Sequence, residues 1–453
     1  MMGKITLKQA AAWCGGQVDV KYENVLFRGA GNDTRTIGPG ELFVALEGAR
    51  DGHDFIGTAM ENGAAAVLCR KKMGDYPAIY VDDPRKALGR LAHKERRRLG
   101  MQVVAVTGSV GKSTTKEMIA QVLEAGYHTA KTPVNHNNDI GVPMAILAMP
   151  DGTEAAVLEM GMNHFGEISY LSRMGCPNMA VIVNIGTSHM EYLGSAEGIR
   201  QAKMEIIDGL HPKGTLFLNG DDPMLRDLPE KLKQKVVYFG TGDNCQVKAR
   251  DIYSGDGCLR FTVDDGRVTF PVEIPMEGMH FVADAMAAVS VGLAMEIPPE
   301  KIQQKLLNFQ NMEGRQEIIR TEKYTIIKDC YNAGPESMQA ALEVLGAQKG
   351  RKIAVLGDML ELGDCAEAEH YRIGRIAAEK ADLVLSLGPN GERVLIGTVT
   401  GGMPQNRTQH FDDRDSLIAA LRRAAKPGDV LLFKGSRGMY MEKVLSGFLE
   451  ETT

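Results

Sequence analysis

Short apolar runs alternate with amphipathic stretches of helical period along most of the chain. The clearest example is residues 102–115, QVVAVTGSVGKSTT, where a β-branched apolar run predicts a buried strand that breaks at Gly108. A helix is predicted to follow from about Lys112. Other buried strands are predicted at residues 41–46, 65–69, 154–161 and 179–186. Alternating strands and helices of this kind predict an α/β protein.

The same pattern divides the 453 residues into three predicted domains, which suits a chain of this length. Breaks in the pattern near residues 83 and 315 give predicted domains of 1–83, 84–314 and 315–453. The first is a small α/β domain, the second carries the QVVAVTGSVGKSTT segment in a mostly parallel sheet, and the third is Rossmann-like. Asp-Gly turns between residues 246 and 275 predict a small antiparallel part within the second domain.

The strand-loop-helix at residues 102–115 has the properties of a phosphate-binding loop. Its glycines let backbone N–H groups approach an anion, and the helix N-terminus adds its positive end. Lys112 can reach terminal phosphates, and Ser113 offers a hydroxyl to Mg²⁺. The loop is shorter than the strict P-loop, which would require glycine at position 106 where this chain has Val106. Nucleotide binding is therefore predicted.

Three further side chains follow at positions suited to the same chemistry. Glu159 ends a predicted buried strand, where a parallel sheet places a Mg²⁺ ligand beside a phosphate loop. His189 follows the next strand, and Lys203 lies among apolar residues of a predicted helix. A lysine there can extend to solvent. If it is buried instead, it deprotonates easily, and a neutral amine can capture CO₂ as an anionic carbamate that suits Mg²⁺.

Polar segments elsewhere predict substrate contacts or ordinary turns. The segment Asn32–Arg35 suits a phosphate or a uracil edge, or a solvated loop. The asparagine-rich segment 132–143 is either an ordered polar loop or an Asx turn that caps the next helix. Three polar turns follow strands of the third domain and predict a second site at that sheet edge. They are residues 329–332, 357–359 and 434–437.

Composition narrows the possible partners and the compartment. A net charge of −6 argues against nucleic-acid binding driven by overall basicity. No apolar run is long enough to span a membrane, and the N-terminal MMGKITLKQA lacks the apolar core of a signal peptide. Seven scattered cysteines without a CxxC pair indicate reduced thiols. A cytoplasmic protein, expected to be a monomer, is predicted.

Taken together, the motifs resemble those of the Mur ligases of bacterial cell-wall synthesis. They occur along nearly the whole chain in the family's order: TGSVGKSTT, LEMGMNH, NIGTSH, AKME, NGDDP, GRQE and KGSR. Two C-terminal motifs, DCYNAGPESM and VLGDMLELG, resemble the branch that joins D-alanyl-D-alanine (D-Ala-D-Ala) to UDP-N-acetylmuramoyl-tripeptide (UDP-MurNAc-tripeptide). The Asp-Asn-Pro-Arg signature of the branch that adds diaminopimelate is absent at the corresponding place. The sequence does not specify the third residue of the tripeptide.

The resemblance implies an ATP-dependent ligase that works through an acyl phosphate, with two Mg²⁺ ions and a carbamate on Lys203. It implies an ATP-binding set of Gly108, Ser109, Val110, Gly111, Lys112, Ser113, Thr114, His280, Arg315 and Asp329. The implied catalytic residues are Lys112, Glu159, His189 and Lys203, and the implied metal ligands are Ser113, Glu159, His189 and Lys203. The implied substrate-binding residues are Asp33, Thr34, Arg35, Asn137, Asn138, Tyr331 and Asn332.

Two departures from the family pattern and two alternative functions accompany this interpretation. The family's His-Asn-x-x-Asn is His280-Phe281-Val282-Ala283-Asp284 here, and its Asn-Ala-Asn-Pro is Asn332-Ala333-Gly334-Pro335. The first alternative is another amide ligase, of a different Mur type or of the folylpolyglutamate type, although the latter family begins directly at its ATPase domain. The second is a P-loop kinase or a regulatory NTPase switch, which would need no amine acceptor.

Overall fold

The structure is a computed structural model that describes residues 5–188, 190–226, 228 and 232–450. It is a mixed α/β fold with several mostly parallel sheets, as the alternating pattern predicted. His189 lies outside the described residues, so its predicted role stays a prediction. None of the described helices combines the length and the apolar character needed to cross a membrane.

The first part of the chain forms a five-stranded sheet and a separate two-stranded pair. The sheet order is β2-β7-β6-β5-β4, with only the β2–β7 pair antiparallel, and β1 pairs with β3. The strands are β1 (Ile5–Thr6), β2 (Gln17–Val18), β3 (Leu26–Phe27), β4 (Ala30–Gly31), β5 (Leu42–Val44), β6 (Ala66–Cys69) and β7 (Ala78–Tyr80). The helices are α1 (Leu7–Cys14) and α2 (Ile56–Glu61). The predicted strands at 41–46 and 65–69 are confirmed as β5 and β6, which are buried throughout.

The middle of the chain forms a nine-stranded sheet in the order β16-β15-β14-β13-β12-β11-β8-β10-β9. Its strands are β8 (Gln102–Thr107), β9 (Thr129–Lys131), β10 (Ala155–Glu159), β11 (Met179–Ile182), β12 (Thr215–Asn219), β13 (Lys235–Gly240), β14 (Val247–Gly255), β15 (Cys258–Asp264) and β16 (Thr269–Ile274). Its helices are α3 (Pro84–Leu99), α4 (Lys112–Leu123), α5 (Gly141–Leu147), α6 (Glu167–Gly175), α7 (Met190–Leu193), α8 (Ala196–Met204), α9 (Pro223–Arg226), α10 (Phe281–Ala294) and α11 (Pro299–Leu307). The β14–β15 and β15–β16 pairs are antiparallel, which confirms the prediction for residues 246–275.

The register of this sheet brings the phosphate loop and Glu159 to one edge. β8 lies between β10 and β11, and its apolar residues are buried, because helices cover both faces of a parallel sheet. Glu159 is paired with Val106, and Ile182 with Thr107, so all three strands end at the same level. The loops that follow these strands therefore meet at the carboxyl edge, where open α/β sheets bind ligands.

The last part forms a six-stranded sheet in the order β17-β18-β22-β19-β20-β21, antiparallel only at β17. Its strands are β17 (Glu317–Arg320), β18 (Thr325–Asp329), β19 (Lys352–Gly357), β20 (Leu383–Leu387), β21 (Thr408–Phe411) and β22 (Val430–Lys434). Its helices are α12 (Pro335–Ala347), α13 (Ala366–Lys380), α14 (Gly391–Thr400), α15 (Arg414–Ala424) and α16 (Met441–Leu449). Asp329 and Lys434 are register partners, so two of the predicted polar turns leave neighbouring strands side by side.

Some elements differ from the sequence-based prediction. The strand predicted at 179–186 ends at Ile182, because the next residues turn to contact the phosphate loop. Gly141 and Pro143, at the end of the asparagine-rich segment, lie inside α5, and the Asn138 side chain accepts hydrogen bonds from two amides at the start of this helix. The Asx-capping alternative is therefore correct for Asn138. The elements α14 and β21 were not predicted from the pattern.

Two facing glycines allow α13 and α14 to pack closely, and this yields a stability prediction. A Cβ at Gly374 would lie 2.2 Å from the Val394 carbonyl oxygen, and a Cβ at Gly397 would lie 2.2 Å from that of Tyr371. We expect Gly374→Ala to destabilise this region by about 1–3 kcal/mol, since the helices must separate. Thermal unfolding followed by circular dichroism measures the effect. Gly48→Ala is the control, because a Cβ there meets nothing within 4 Å; equal melting curves for the two variants would contradict the prediction.

Candidate functional site

The phosphate loop is a tight turn between β8 and α4 that accepts only glycine at one position. Gly111 has a φ of 82°, in the left-handed region that side chains rarely adopt. A Cβ there would also lie 2.5 Å from a carboxylate oxygen of Asp284. Lys112 begins α4, and Ser113 and Thr114 follow as buried residues of its first turn. The helix N-terminus therefore points its amides at the loop, which favours an anion there.

Asn184 holds the loop in shape, and sequence reasoning did not assign it to the site. Its side-chain oxygen accepts hydrogen bonds from the amides of Ser109 and Val110, at 2.9 and 3.0 Å. Its side-chain nitrogen donates to the Val110 carbonyl at 3.0 Å. The Ser109 hydroxyl accepts a further bond from the Gly186 amide at 2.7 Å. Asn184 belongs to the NIGTSH motif, so the family resemblance could have drawn attention to it. A side-chain amide that hydrogen-bonds to backbone groups, however, does not mark itself as a site residue in the surrounding sequence.

Lys112 lies over the loop, and within the described part of the chain its ammonium hydrogen-bonds to carbonyl oxygens of its own turn. Its ammonium donates to the carbonyls of Gly108 and Ser109, at 2.8 and 3.2 Å. Burial lowers its pKa, and the nearby Glu159 carboxylate acts in the opposite direction. These two bonds can be exchanged for phosphate oxygens, since the ammonium needs only to turn towards the cavity.

The Glu159 carboxylate is buried beside the loop with one oxygen free of hydrogen bonds. Its Oε1 accepts from the Asn137 side chain at 2.9 Å, while Lys116 Nζ lies 3.8 Å from Oε2. Oε2 is buried and accepts no hydrogen bond from the described residues. This carboxylate oxygen and the Ser113 hydroxyl belong to residues that line the same cavity, and both are hard oxygen donors of the kind that Mg²⁺ prefers. The residues present therefore fit a magnesium ion.

Lys203 is buried, which was one of the two alternatives for this residue; the other was extension of its side chain to solvent. It lies near the end of α8 and is 2 % exposed, so its side chain does not extend to solvent. Burial holds its pKa well below the usual value for lysine, and the nearby positive charge of Lys112 lowers it further. The Glu336 carboxylate acts in the opposite direction. Lys203 can therefore be present as a neutral amine.

Residues of the third predicted domain reach across to the phosphate loop. A guanidinium nitrogen of Arg315 donates to the Ser113 hydroxyl at 3.1 Å, and the guanidinium lies 4.0 Å from the ring centre of Tyr331. The Tyr331 hydroxyl donates in turn to the Asn135 side chain. The C-terminal sheet is thus docked against the loop through side chains that would also line a nucleotide site.

At the edge of the C-terminal sheet, Asp329 is held by a buried lysine. Lys434 Nζ lies 2.6 Å from Asp329 Oδ2 and also donates to the Asn332 carbonyl at 3.1 Å. The Arg437 amide donates to the Asn332 side chain at 3.4 Å. The structure therefore brings together two of the polar turns predicted to form a second site, those at 329–332 and 434–437.

These groups enclose one cavity of about 550 Å³ between the two sheets. Among the predicted site residues, its lining includes Ser109, Val110, Gly111, Lys112, Ser113, Thr114, Asn137, Glu159, His280, Arg315, Asp329, Tyr331 and Asn332. His280 lies at the start of α10, against the ring of Phe281, with the ring centres 4.0 Å apart. A volume of this size is in the range of small-molecule sites.

The remaining predicted substrate residues lie elsewhere or have a different role. Asp33, Thr34 and Arg35 follow β4 and are not part of the cavity lining. The Arg35 guanidinium and amide bind the Asp33 carboxylate, which lowers the pKa of Asp33 to about 2. Asn138 is exposed, and its side chain caps the start of α5.

A second group of possible metal ligands lies in the N-terminal part, at Glu47, Asp51 and His53. Lysine and arginine already compensate its charge: Arg70 lies 2.5 Å from Glu47, and Lys71 lies 2.7 Å from Asp51. The His53 ring also accepts the Arg70 amide at 3.0 Å. We interpret this group as an ion-paired turn and not as a metal site.

Family models of three Mur ligase regions match most of the chain. The Mur ligase middle domain matches residues 106–292, and the Mur ligase, glutamate ligase domain matches residues 314–437. The Mur ligase family, catalytic domain, matches residues 27–96.

Curated relatives and solved structures are similar over the full length. The UDP-N-acetylmuramoyl-tripeptide–D-alanyl-D-alanine ligase of Bacillus subtilis is 40% identical over 99% of both chains. A crystal structure of MurF from Acinetobacter baumannii is 32% identical, covers 99% of this chain and 100% of its own, and has a TM-score of 0.91. MurF ligase from Thermotoga maritima in complex with ADP is 30% identical, with coverages of 94% and 97% and a TM-score of 0.83.

The buried Asp284 predicts a measurable pH dependence of stability. Burial raises its pKa to about 7, although Thr115 donates to its Oδ1 at 2.6 Å. Between about pH 4 and 7 the unfolded carboxyl loses its proton and the folded one keeps it, so stability falls as pH rises. The full shift corresponds to at most about 4 kcal/mol. Asn at this position keeps the acceptor oxygen but does not titrate.

We therefore expect Asp284→Asn to gain thermal stability relative to the unmodified protein as pH rises from 5 to 8. Melting temperatures of both proteins at several pH values measure this difference. Asp243→Asn is the control, since the Asp243 side chain is fully exposed. A difference between Asp284→Asn and the unmodified protein that does not change with pH would contradict the assignment.

Proposed function

The chain belongs to the Mur ligase family, and we propose that it joins D-Ala-D-Ala to UDP-MurNAc-tripeptide with the energy of ATP. The products are UDP-MurNAc-pentapeptide, ADP and phosphate, as in peptidoglycan precursor synthesis. The observation that carries the proposal is the cavity, which has the phosphate loop on one wall and the polar turns of the C-terminal sheet on the other. ATP and an amine acceptor can therefore meet at one point.

The chemistry proceeds in two steps that conserve all atoms. A carboxylate oxygen of the tripeptide attacks the γ-phosphorus of ATP, and the bond from this phosphorus to the β,γ-bridging oxygen breaks. ADP departs as the leaving group, and the tripeptide now carries an acyl phosphate. The amine of the dipeptide then attacks the acyl carbon and loses a proton as phosphate leaves. Lys112 stabilises negative charge on the transferred phosphoryl group, and the amides of the loop orient it. Because an acyl phosphate hydrolyses in water, the docking of the two sheets protects it.

We infer that Ser113 and Glu159 hold one Mg²⁺ ion, and that Lys203 carries a carbamate that helps to hold a second. Magnesium would supply charge neutralisation at the phosphoryl group. Support for the first site is the free, buried oxygen of Glu159, and support for the carbamate is the burial and lowered pKa of Lys203. The role of His189 at the second ion stays a prediction from the family resemblance.

We propose that the remaining site residues bind the two ends of the substrates. His280, Arg315 and Asp329 contact the nucleotide, and Tyr331, Asn332 and the 434–437 turn bring in the dipeptide or close on ATP. By the family resemblance, Asp33, Thr34 and Arg35, with Asn137 and Asn138, hold the UDP-sugar end. The 33–35 turn is not part of the cavity lining, which suits contact with uracil, because a diphosphate, a sugar and a tripeptide separate uracil from the reacting carboxylate. Asn137 lines the cavity and Asn138 caps α5, so the support for this role is weaker for these two residues.

We also propose the domain limits 1–83, 84–314 and 315–453, a cytoplasmic location and a monomer. The strands of each sheet fall within one of the three ranges, which supports the limits. ATP and nucleotide-linked precursors are cytoplasmic compounds, which supports the location.

Phosphate release tests the function directly. We expect release from ATP only when UDP-MurNAc-tripeptide and D-Ala-D-Ala are both present, because the acyl phosphate forms on the first and is consumed by the second. A coupled phosphate assay with each substrate omitted in turn measures this. ATP turnover that is indifferent to the dipeptide would favour a kinase or an NTPase switch and contradict the ligase assignment.

Substitution of Lys203 tests the carbamate. Lys203→Arg keeps a long basic side chain but cannot form a carbamate, so we expect ligation to be abolished, with ATP analogue binding retained. The same phosphate assay and isothermal titration with the analogue separate the two effects. Lys213→Arg, at an exposed position, is the matched control. Full ligation by Lys203→Arg would exclude the carbamate.

A further inference from the structure

Glu336 reaches from the C-terminal part of the molecule to the loop that follows β11. It lies in the first turn of α12, and its Oε1 accepts from the Thr187 amide at 2.7 Å and from the Thr187 hydroxyl at 2.9 Å. A Cβ at Gly186 would lie 2.7 Å from this carboxyl group, so any larger residue there would displace the Glu336 carboxylate from its present position. Glu336 also lines the cavity that contains the phosphate loop.

Only one of the two Glu336 oxygens has a hydrogen-bonding partner. Oε2 is buried and accepts no hydrogen bond from the part of the chain that the structure describes. A buried carboxylate oxygen without a partner destabilises the site, because the group has lost its water and gained no hydrogen bond. Glu159, which lines the same cavity, has an oxygen in the same condition. Two buried, unpartnered carboxylate oxygens therefore line one cavity.

Glu336 forms no ion pair with a side chain of the described residues. The buried Lys203 is near enough to act on it electrostatically, but the two form no hydrogen bond or ion pair in that part of the chain. The free oxygens of Glu336 and Glu159 therefore leave unused acceptors in one cavity. Carboxylate oxygens are the donors that suit a divalent cation.

We propose that Glu336, which lines the cavity, supplies a carboxylate oxygen, Oε2, to the second divalent cation, the one that a carbamate on Lys203 would also help to hold. The proposal rests on the proposed function for the presence of that second cation. Since Glu336 belongs to α12 and Lys203 to α8, the cation site is complete only when the C-terminal sheet is docked. The docking of the sheet and the second cation thus stabilise each other.

Binding of Mn²⁺, which replaces Mg²⁺ at oxygen sites, tests the proposal without an activity assay. The full-length protein is titrated with Mn²⁺ in the presence of a non-hydrolysable ATP analogue, and free Mn²⁺ is followed by electron paramagnetic resonance. We expect the unmodified protein to bind two ions. Glu336→Gln, which keeps the acceptor for Thr187 but removes the charge, should weaken one of them by at least about tenfold and leave the other unchanged.

Two controls separate a ligand from a structural contact. Glu343→Gln removes a carboxylate from the exposed side of the same helix, where it pairs with Lys380, and should bind both ions normally. Thr187→Val removes one bond to Glu336 but keeps its charge, and should weaken the second ion less than Glu336→Gln does. Melting curves confirm that each variant is folded.

Several outcomes would overturn the proposal. They are two ions of unchanged affinity in Glu336→Gln, a single ion in the unmodified protein, an equal loss at both sites, or a Thr187→Val loss as large as that of Glu336→Gln. Failure of the ligase assignment is distinguished from these, because it appears in phosphate release and leaves the Mn²⁺ count interpretable.

Discussion

The burial of charged side chains around one loop is the constraint on which the rest of the structure depends. Lys116 and Lys203 are buried, as are Glu159 and Asp284, all within the region that surrounds residues 108–114. Removing such groups from water costs several kcal/mol each unless partners compensate. Lys116 is satisfied by the Thr132 carbonyl at 2.8 Å and by Glu117 at 3.1 Å. The others are compensated only in part, which is the expected condition of a site built for charged ligands.

The fold supplies this arrangement through sheet geometry. Parallel strands place the ends of β8, β10 and β11 at one level, so the loop, Glu159 and Asn184 converge without any long connection. The second sheet presents Asp329 and Lys434 from neighbouring strands in the same way. The carboxyl edges of the two sheets face each other, so a cavity between them can enclose two substrates. A single sheet edge would hold only the nucleotide.

Much of this was predictable from local pattern, and the failures have physical reasons. The loop between β8 and α4 and the position of Glu159 at a strand end follow from apolar runs and their breaks. The burial of Lys203 does not, because the pattern allowed its side chain either to be buried or to extend to solvent. Asn184 could not be assigned, because its partners are backbone groups 74 and 75 residues distant in sequence. Glu336 could not be assigned either, since its partner Thr187 lies in a loop that follows a strand of another sheet, 149 residues away. Contacts between sheets leave no periodic signal in the chain.

The two departures from the family motifs gain a physical meaning from the structure. Asp284 replaces the second asparagine of His-Asn-x-x-Asn, and it lies beneath Gly111 with a hydrogen bond from Thr115, so it supports the loop from below. Because burial favours its protonated form, the substitution adds little negative charge beneath a site for polyphosphate.

Gly334 replaces the second asparagine of Asn-Ala-Asn-Pro and stands at the start of α12, two residues before Glu336. A Cβ at Gly334 would meet only the Ser188 hydroxyl, at 3.6 Å, so space alone does not require glycine there. The unusual chemistry of this segment therefore resides in the carboxylate of Glu336 and not in the glycine before it.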